Sequence, residues 1–242
     1  MPSPPPAAEL LILFVKYPEP GRVKTRLAAG VGPEQAAAIY QDLVELAWRA
    51  ASDWCHHPPH SSSSPPPSRT LWLYFDPPSR ESEMKAWFAR YPSPADLPMA
   101  WIAQPEGDLG ERLEYVFNKA FNEGFSSVSA IGTDCPSLTA KGLETASLRL
   151  RLSDAVLGPA ADGGYYLIGL TQYHPNAFRN IPWSSTQTLA ATLAALHLLK
   201  WNVAELPLLH DIDTQADWEL WLQSSTHLSK SDRSEFFYDE DL

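Results

Sequence analysis

Four basic side chains fall within eleven residues of an otherwise acidic chain. They are Lys16, Arg22, Lys24 and Arg26, in the run Lys16-Tyr17-Pro18-Glu19-Pro20-Gly21-Arg22-Val23-Lys24-Thr25-Arg26-Leu27. The 242 residues hold 18 Lys and Arg against 29 Asp and Glu, for a formal net charge of −11. An even spread would place about one basic residue in such a window, so the cluster needs a reason. Phosphate is the anion that suits it. Arginine can grip two phosphate oxygens at once, prolines stiffen the turn, and Gly21 lets backbone approach a ligand closely. The spacing is not that of a P-loop, because G-x-x-x-x-G-K-[ST] is absent. The bland alternative is a solvated turn with surface charges.

Acidic clusters recur further along. Gly132-Thr133-Asp134-Cys135-Pro136 follows an apolar run, where an Asp could hold a divalent cation or simply cap the next turn. In His210-Asp211-Ile212-Asp213-Thr214 the two acids share a side if the segment is extended, or serve a helix start. Asp162-Gly163-Gly164-Tyr165-Tyr166 reads as a hairpin turn, or as a flexible turn that offers Asp162 and backbone amides to a sugar. Gln104-Pro105-Glu106-Gly107-Asp108-Leu109-Gly110-Glu111-Arg112 is a Gly-containing loop at a helix start, able to cradle a base or phosphate. Tyr165, Tyr166, Trp183 and Trp201 could stack on a base or sugar, with core packing the natural role for Trp201.

The elements that must position these residues follow from pattern. Short apolar runs predict strands at Leu10 to Val15, Thr70 to Phe75, Ala100 to Ala103, Ser127 to Ile131, Ala155 to Leu157, Tyr165 to Leu170 and Asn202 to Leu209. Helical spacing predicts helices from Pro33 to Ser52, Arg80 to Arg90, Leu109 to Phe125, Thr139 to Leu152, Ser185 to Lys200 and Thr214 to Leu222. Thr139 and Thr214 are the expected N-caps of their helices. The Pro/Ser/His tract from His56 to Ser68 reads as a flexible surface loop, and its histidines as solvated rather than metal-binding. Met1 to Glu9 and Ser229 to Leu242 read as flexible tails. The expected architecture is one α/β domain over residues 10–228, a mostly parallel sheet with helices on both faces. Such sheets bind ligands beyond the carboxyl ends of their strands, where the polar clusters fall.

The composition narrows the partners. An acidic chain is a poor candidate for nucleic acid or an anionic membrane. Leu10 to Val15 is too short for a membrane span or a signal-peptide core, and two cysteines, Cys55 and Cys135, do not suggest a disulfide framework. A soluble, cytoplasmic protein is expected. Its oligomeric state is left open.

Taken in order, these clusters resemble the glycosyltransferase-A-like bacterial proteins often labelled arsenosugar-biosynthesis-type glycosyltransferases, within the nucleotide-diphospho-sugar transferase superfamily. The resemblance rests on Lys16 to Leu27, Gly107 to Leu113, Gly132 to Pro136, Asp162 to Tyr166 and Asp211 to Thr214, and it covers the chain from Leu10 to Leu222. It implies a single Rossmann-like domain. It places a nucleoside-diphosphate sugar on Lys16, Gly21, Arg22, Lys24 and Arg26, with Gln104, Gly107 and Gly110 at the base or ribose. It implies Mg²⁺ or Mn²⁺ on Asp134 and Asp213. Gly163, Gly164, Tyr165 and Trp183 are then expected at the sugar or acceptor.

The expected reaction is metal-assisted glycosyl transfer to a small hydroxyl acceptor, with Asp162 as base if the reaction inverts. Nucleotidyl transfer that releases pyrophosphate and a silent nucleotide-sugar-binding protein are the alternatives. The chain departs from the superfamily in two places. The first loop has one Gly, where nucleotidyltransferases usually show G-x-G, and the metal motif is Thr133-Asp134-Cys135 rather than Asp-x-Asp.

Overall fold

A computed structural model describes residues 8–56, 66–94 and 96–225. The tails expected at either end lie largely outside these residues, as do positions 57–65 of the Pro/Ser/His tract. Seven strands form one sheet: β1 (Ala8–Lys16), β2 (Ser68–Asp76), β3 (Met99–Ala103), β4 (Ser127–Ile131), β5 (Ala155–Pro159), β6 (Tyr165–Leu170) and β7 (Val203–Glu205). The helices are α1 (Thr25–Val31), α2 (Pro33–His56), α3 (Glu81–Phe88), α4 (Leu109–Asn122), α5 (Ala140–Leu150), α6 (Thr188–Leu198) and α7 (Gln215–Ser225). Among the described residues no helix is long and apolar enough to cross a membrane.

The sheet order is β3-β2-β1-β4-β6-β5-β7. All pairings are parallel except those of β6, which runs against both β4 and β5. The alternation of β1 shows why both faces are covered. Leu11, Leu13 and Val15 pack with Val44 and Trp48 of α2, Met84 of α3 and Leu143 of α5. Leu10 and Ile12 point the other way, to Val116 and Phe117 of α4 and Leu196 of α6. A strand buried on both sides must be apolar throughout, which is why its sequence is a continuous run. Each of these fully buried aliphatic side chains contributes about 1.5–3 kcal/mol.

A third cluster docks the late chain onto the early chain. Leu27 of α1, Ile39 and Leu43 of α2 and Ile212 are buried together, with Trp218 and Trp221 of α7 against them. This contact brings the segment before α7 alongside the basic run.

Helix starts follow local chemistry. Asp108 caps α4, its side chain accepting from the Glu111 N–H at 2.9 Å, while Glu111 Oε2 accepts from the Asp108 N–H at 2.9 Å. Two orphan donors are satisfied by this reciprocal box. Thr139 caps α5, as expected. Thr214 and Asp217 close the start of α7, with Asp217 Oδ2 accepting from the Thr214 N–H at 2.7 Å.

Two expectations need correction. The basic run is not a loop throughout, because α1 begins at Thr25 and Arg26 lies in its first turn. The late strand is shorter than Asn202 to Leu209. Pro207 cannot donate to the ladder, so β7 ends at Glu205 and Leu209 makes only an isolated bridge to Ala160.

Candidate functional site

The carboxyl ends of β1, β4 and β5 open into one cleft of ≈ 1130 Å³. The start of β6 is there too, because β6 runs opposite to its neighbours. Lys16, Arg22, Lys24 and Arg26 line the cleft beside Gln104, Gly107, Asp134, Asp162, Gly164, Tyr165, Trp183 and Asp213. Sequence clusters far apart in the chain thus meet in one place. Gly21, Gly110 and Gly163 do not line it.

Lys24 organises the centre. It is the residue before α1 and adopts a left-handed conformation, φ 48° and ψ 48°, that non-glycine residues rarely take. Its ammonium donates to the carbonyl of Ile212 at 2.5 Å and pairs with Asp134 Oδ1 at 2.8 Å and Asp213 Oδ1 at 3.1 Å. The side chain is only 5% exposed. Burial works to lower its pKa, but Asp134 and Asp213 outweigh this and hold it above the ordinary lysine value. An ammonium has three N–H donors. All three are engaged here, so Lys24, expected on phosphates, has none to offer in this arrangement.

The other cations are exposed and line the cleft. Arg22 is exposed and only loosely paired with Glu19 at 3.7 Å. Arg26 is exposed and pairs with Asp213. Lys16 is exposed at the end of β1, where its backbone N–H donates to the Tyr40 hydroxyl at 2.8 Å. The backbone N–H of Ile212 donates to the Asp134 carbonyl at 2.8 Å, fastening the end of β4 to the segment before α7.

The acids form a second group. Ligand atoms of Asp162, Asp211 and Asp213 lie within 4.8 Å of one another, the one such cluster of acids among the described residues. Asp162 sits in the turn from β5 to β6, and its Oδ1 accepts from the Gly164 N–H at 2.8 Å. This fixes the turn and leaves the carboxylate exposed. Burial, then Asp162 and Asp213, push Asp211 up to about 6. Asp134 and Asp213 were the acids expected to hold Mg²⁺ or Mn²⁺. They do not fit a metal between them, because the Lys24 ammonium occupies that position. The Asp162, Asp211 and Asp213 trio does have cation-binding spacing.

The remaining wall is aromatic. Tyr165 and Trp183 meet edge to face, with ring centroids 6.3 Å apart. Trp201 packs against the apolar cluster around Phe117, the core role expected for it. Three glycines make room for groups packed close against them. A Cβ on Gly110 would lie 2.1 Å from Trp183 Nε1, so Gly110 makes room for the indole. Gly163, at φ +89°, lies so close to Thr186 that a Cβ would meet its backbone oxygen at 2.3 Å. Gly107, at φ +127°, abuts Glu111 of the capping box.

Gln104 lies in the cleft wall but is only 5% exposed, and its amide is engaged within the protein. Its Nε2 donates to the Tyr74 carbonyl at 2.6 Å, and its Oε1 accepts from Arg112 at 2.7 Å. Arg112 also donates to the Gly107 carbonyl at 3.1 Å and lies 3.7 Å from Asp76. Arg112, Asp76, Asp211 and Thr133 line the cleft, and the sequence reading did not assign them to the site. The place of Arg112 one turn into α4, after the Gly107 loop, was the available signal. Cys135 also lines the cleft, but burial pushes its thiol well up, so it is a poor nucleophile.

Comparison with known proteins agrees with this architecture. Residues 67–185 match the family model described as "Uncharacterized protein conserved in bacteria (DUF2064)". The chain is similar to a solved structure from Desulfovibrio desulfuricans G20, described as a candidate nucleotide-diphospho-sugar transferase. The identity is 29% with a TM-score of 0.76, covering 92% of this chain and 90% of that one. It is also similar to the 4-diphosphocytidyl-2C-methyl-D-erythritol synthase of Anaerococcus prevotii DSM 20548, at 10% identity and a TM-score of 0.55, covering 90% of this chain and 99% of that one. The second likeness is one of fold alone. No curated protein matches the chain. The fold is that of the nucleotide-diphospho-sugar transferase superfamily, as the motif resemblance implied.

Proposed function

We propose that the protein is a transferase that binds a nucleoside-diphosphate sugar in this cleft and moves the sugar to a small hydroxyl-bearing acceptor. The observation that carries the reading is the division of the cleft. Exposed Lys16, Arg22 and Arg26 stand at the β1 end, while Asp162 and the Tyr165–Trp183 wall stand at the β6 end.

Each group then has a task. Arg22, Arg26 and Lys16 meet the diphosphate, whose charge grows as the sugar bond breaks, and fixed cations stabilise that growth. Gly107 and the Gln104–Arg112 pair hold the loop that meets the base or ribose. Tyr165 and Trp183 offer aromatic surface to the sugar or acceptor. Asp162 is the proposed base, since it is exposed in the cleft and held by the turn it closes. A divalent ion held by Asp211 and Asp213 would add positive charge beside the diphosphate and leave the Asp162 carboxylate to act as base.

Nucleotidyl transfer uses the same cleft with a nucleoside triphosphate. The single glycine of the first loop favours a ready-made nucleotide sugar over it. Product analysis separates the two: a nucleoside diphosphate marks glycosyl transfer and pyrophosphate marks nucleotidyl transfer. A thermal-shift panel of UDP-, GDP-, CDP-, ADP- and dTDP-sugars with Mn²⁺ tests the binding reading. One class should raise the melting temperature, because a ligand bound only to the native state stabilises it. A flat panel rejects the reading. Turnover by Asp162→Asn at the unchanged rate would remove Asp162 from the role of base.

A further inference from the structure

Two carboxylates face an intended polyanion in this cleft, an arrangement that repels unless a cation stands between them. The cation present belongs to the chain. Lys24 Nζ lies 2.8 Å from Asp134 Oδ1 and 3.1 Å from Asp213 Oδ1, and the Ile212 carbonyl takes its third proton at 2.5 Å. Arg26 pairs with the other oxygen of Asp213. Two positive charges thus balance two negative ones.

We propose that Lys24 is the resident cation of the Asp134–Asp213 pair and stands in place of a divalent ion there. Three observations carry this. The ammonium bridges acids from two different segments, the end of β4 and the run before α7, as a bridging metal would. It is almost wholly buried, so it is part of the floor of the cleft and not a side chain reaching over it. Its backbone is held in a left-handed conformation that non-glycine residues rarely take and that persists only where the surroundings enforce it. With Arg26 the pair stays neutral and joined without metal, and Lys16 and Arg22 are left to the phosphates. The inference rests on the nucleotide-sugar reading only for the expectation that a metal belongs at these acids.

The test is a Mn²⁺ titration of the full chain followed by electron paramagnetic resonance, with Lys24→Met and the double variant Lys24→Met/Asp134→Asn beside the unaltered protein. Lys24→Met should bind Mn²⁺ about tenfold more tightly than the unaltered chain, or better, because the change removes the positive charge that competes for the two acids. The double variant should lose that gain. Equal affinity of the unaltered chain and a folded Lys24→Met overturns the proposal, as does a gain that survives in the double variant.

A second measurement decides the matter if Lys24→Met does not fold. Amine acylation of the unaltered protein, read by mass spectrometry, should leave Lys24 protected and unchanged by added Mn²⁺. A Mn²⁺-induced rise in Lys24 reactivity means that the metal expels the lysine, and the proposal fails. A flat nucleotide-sugar panel would end the proposed function and leave this footprint unaffected.

Discussion

The indole of Trp183 lies against the bare Cα of Gly110, so close that a methyl group there would sit 2.1 Å from Nε1 and 2.7 Å from Cε2. A glycine near a helix start thus sets the position of an aromatic ring that arrives from a late segment of the chain. Gly110→Ala should push the indole out of its edge contact with Tyr165. Overpacking of this kind costs about 1–3 kcal/mol, measured by urea denaturation. The Trp183 indole resonance should move as well. An unchanged resonance with unchanged stability would show that the ring has no fixed seat.

Lys24 provides a comparison of backbone against side chain. Lys24→Gly and Lys24→Ala both remove the ammonium, so both should be less stable than the unaltered protein. They differ in how easily they take φ 48°. The glycine variant should be the more stable of the two by about 1 kcal/mol in urea unfolding, because alanine is disfavoured in left-handed backbone. Equal stabilities would mean that the turn relaxes once the lysine is gone.

Arg112 holds Gln104 and the Gly107 carbonyl in place from the first turn of α4. Arg112→Met should leave the fold intact and loosen that loop. Affinity for whichever nucleotide sugar stabilises the protein should fall about tenfold or more by calorimetry, the cost of losing hydrogen bonds from a charged donor. Unchanged affinity would separate the loop from nucleotide binding.

Glu114 of α4 accepts from Arg179 Nε at 2.9 Å and Nη2 at 2.6 Å, tying α4 to the segment that leads to Trp183. The hydrogen bond from Arg179 outweighs the effect of burial and holds the carboxyl below its ordinary value of 4.5. A depressed carboxyl favours the folded state above its ordinary value and loses that contribution as pH falls through the folded value. Glu114→Gln should therefore melt slightly lower than the unaltered protein at pH 7. The gap should narrow as pH falls below 4.5, and added salt should shrink it too, since the pair is near the surface. A pH-independent gap would assign the effect to packing.

Much of this fold can be read from its sequence. Leu10 to Val15 is apolar throughout because β1 is covered on both faces, and Leu113, Val116, Phe117 and Ala120 keep helical spacing because α4 buries one side. Ser127 to Ile131 and Tyr165 to Leu170 were expected at the bounds observed. The hairpin reading of Asp162 to Tyr166 implied that β6 runs against β5, but its place beside β4 was not legible, because nothing in an apolar run names the neighbour it pairs with. Nor was the true setting of Lys24, since its partners are fixed by tertiary packing and nothing in the run from Lys16 to Leu27 names them. Gly110 misled for a related reason: a glycine needed for a distant indole looks the same as one needed for a ligand.

The contact between Lys24 and Asp213 closes a stretch of 189 residues. Contacts of such long range form late, after the entropy of closing the loop between them has been overcome. The cleft therefore has no existence in a half-made chain. A ribosome-bound product that stops at His210 carries the basic run and β4 but not Asp213, the acid that clasps them. The floor of the cleft is completed only when the last helix docks on Leu27 and Ile39, so ligand binding by a growing chain would report the moment its synthesis passes that helix.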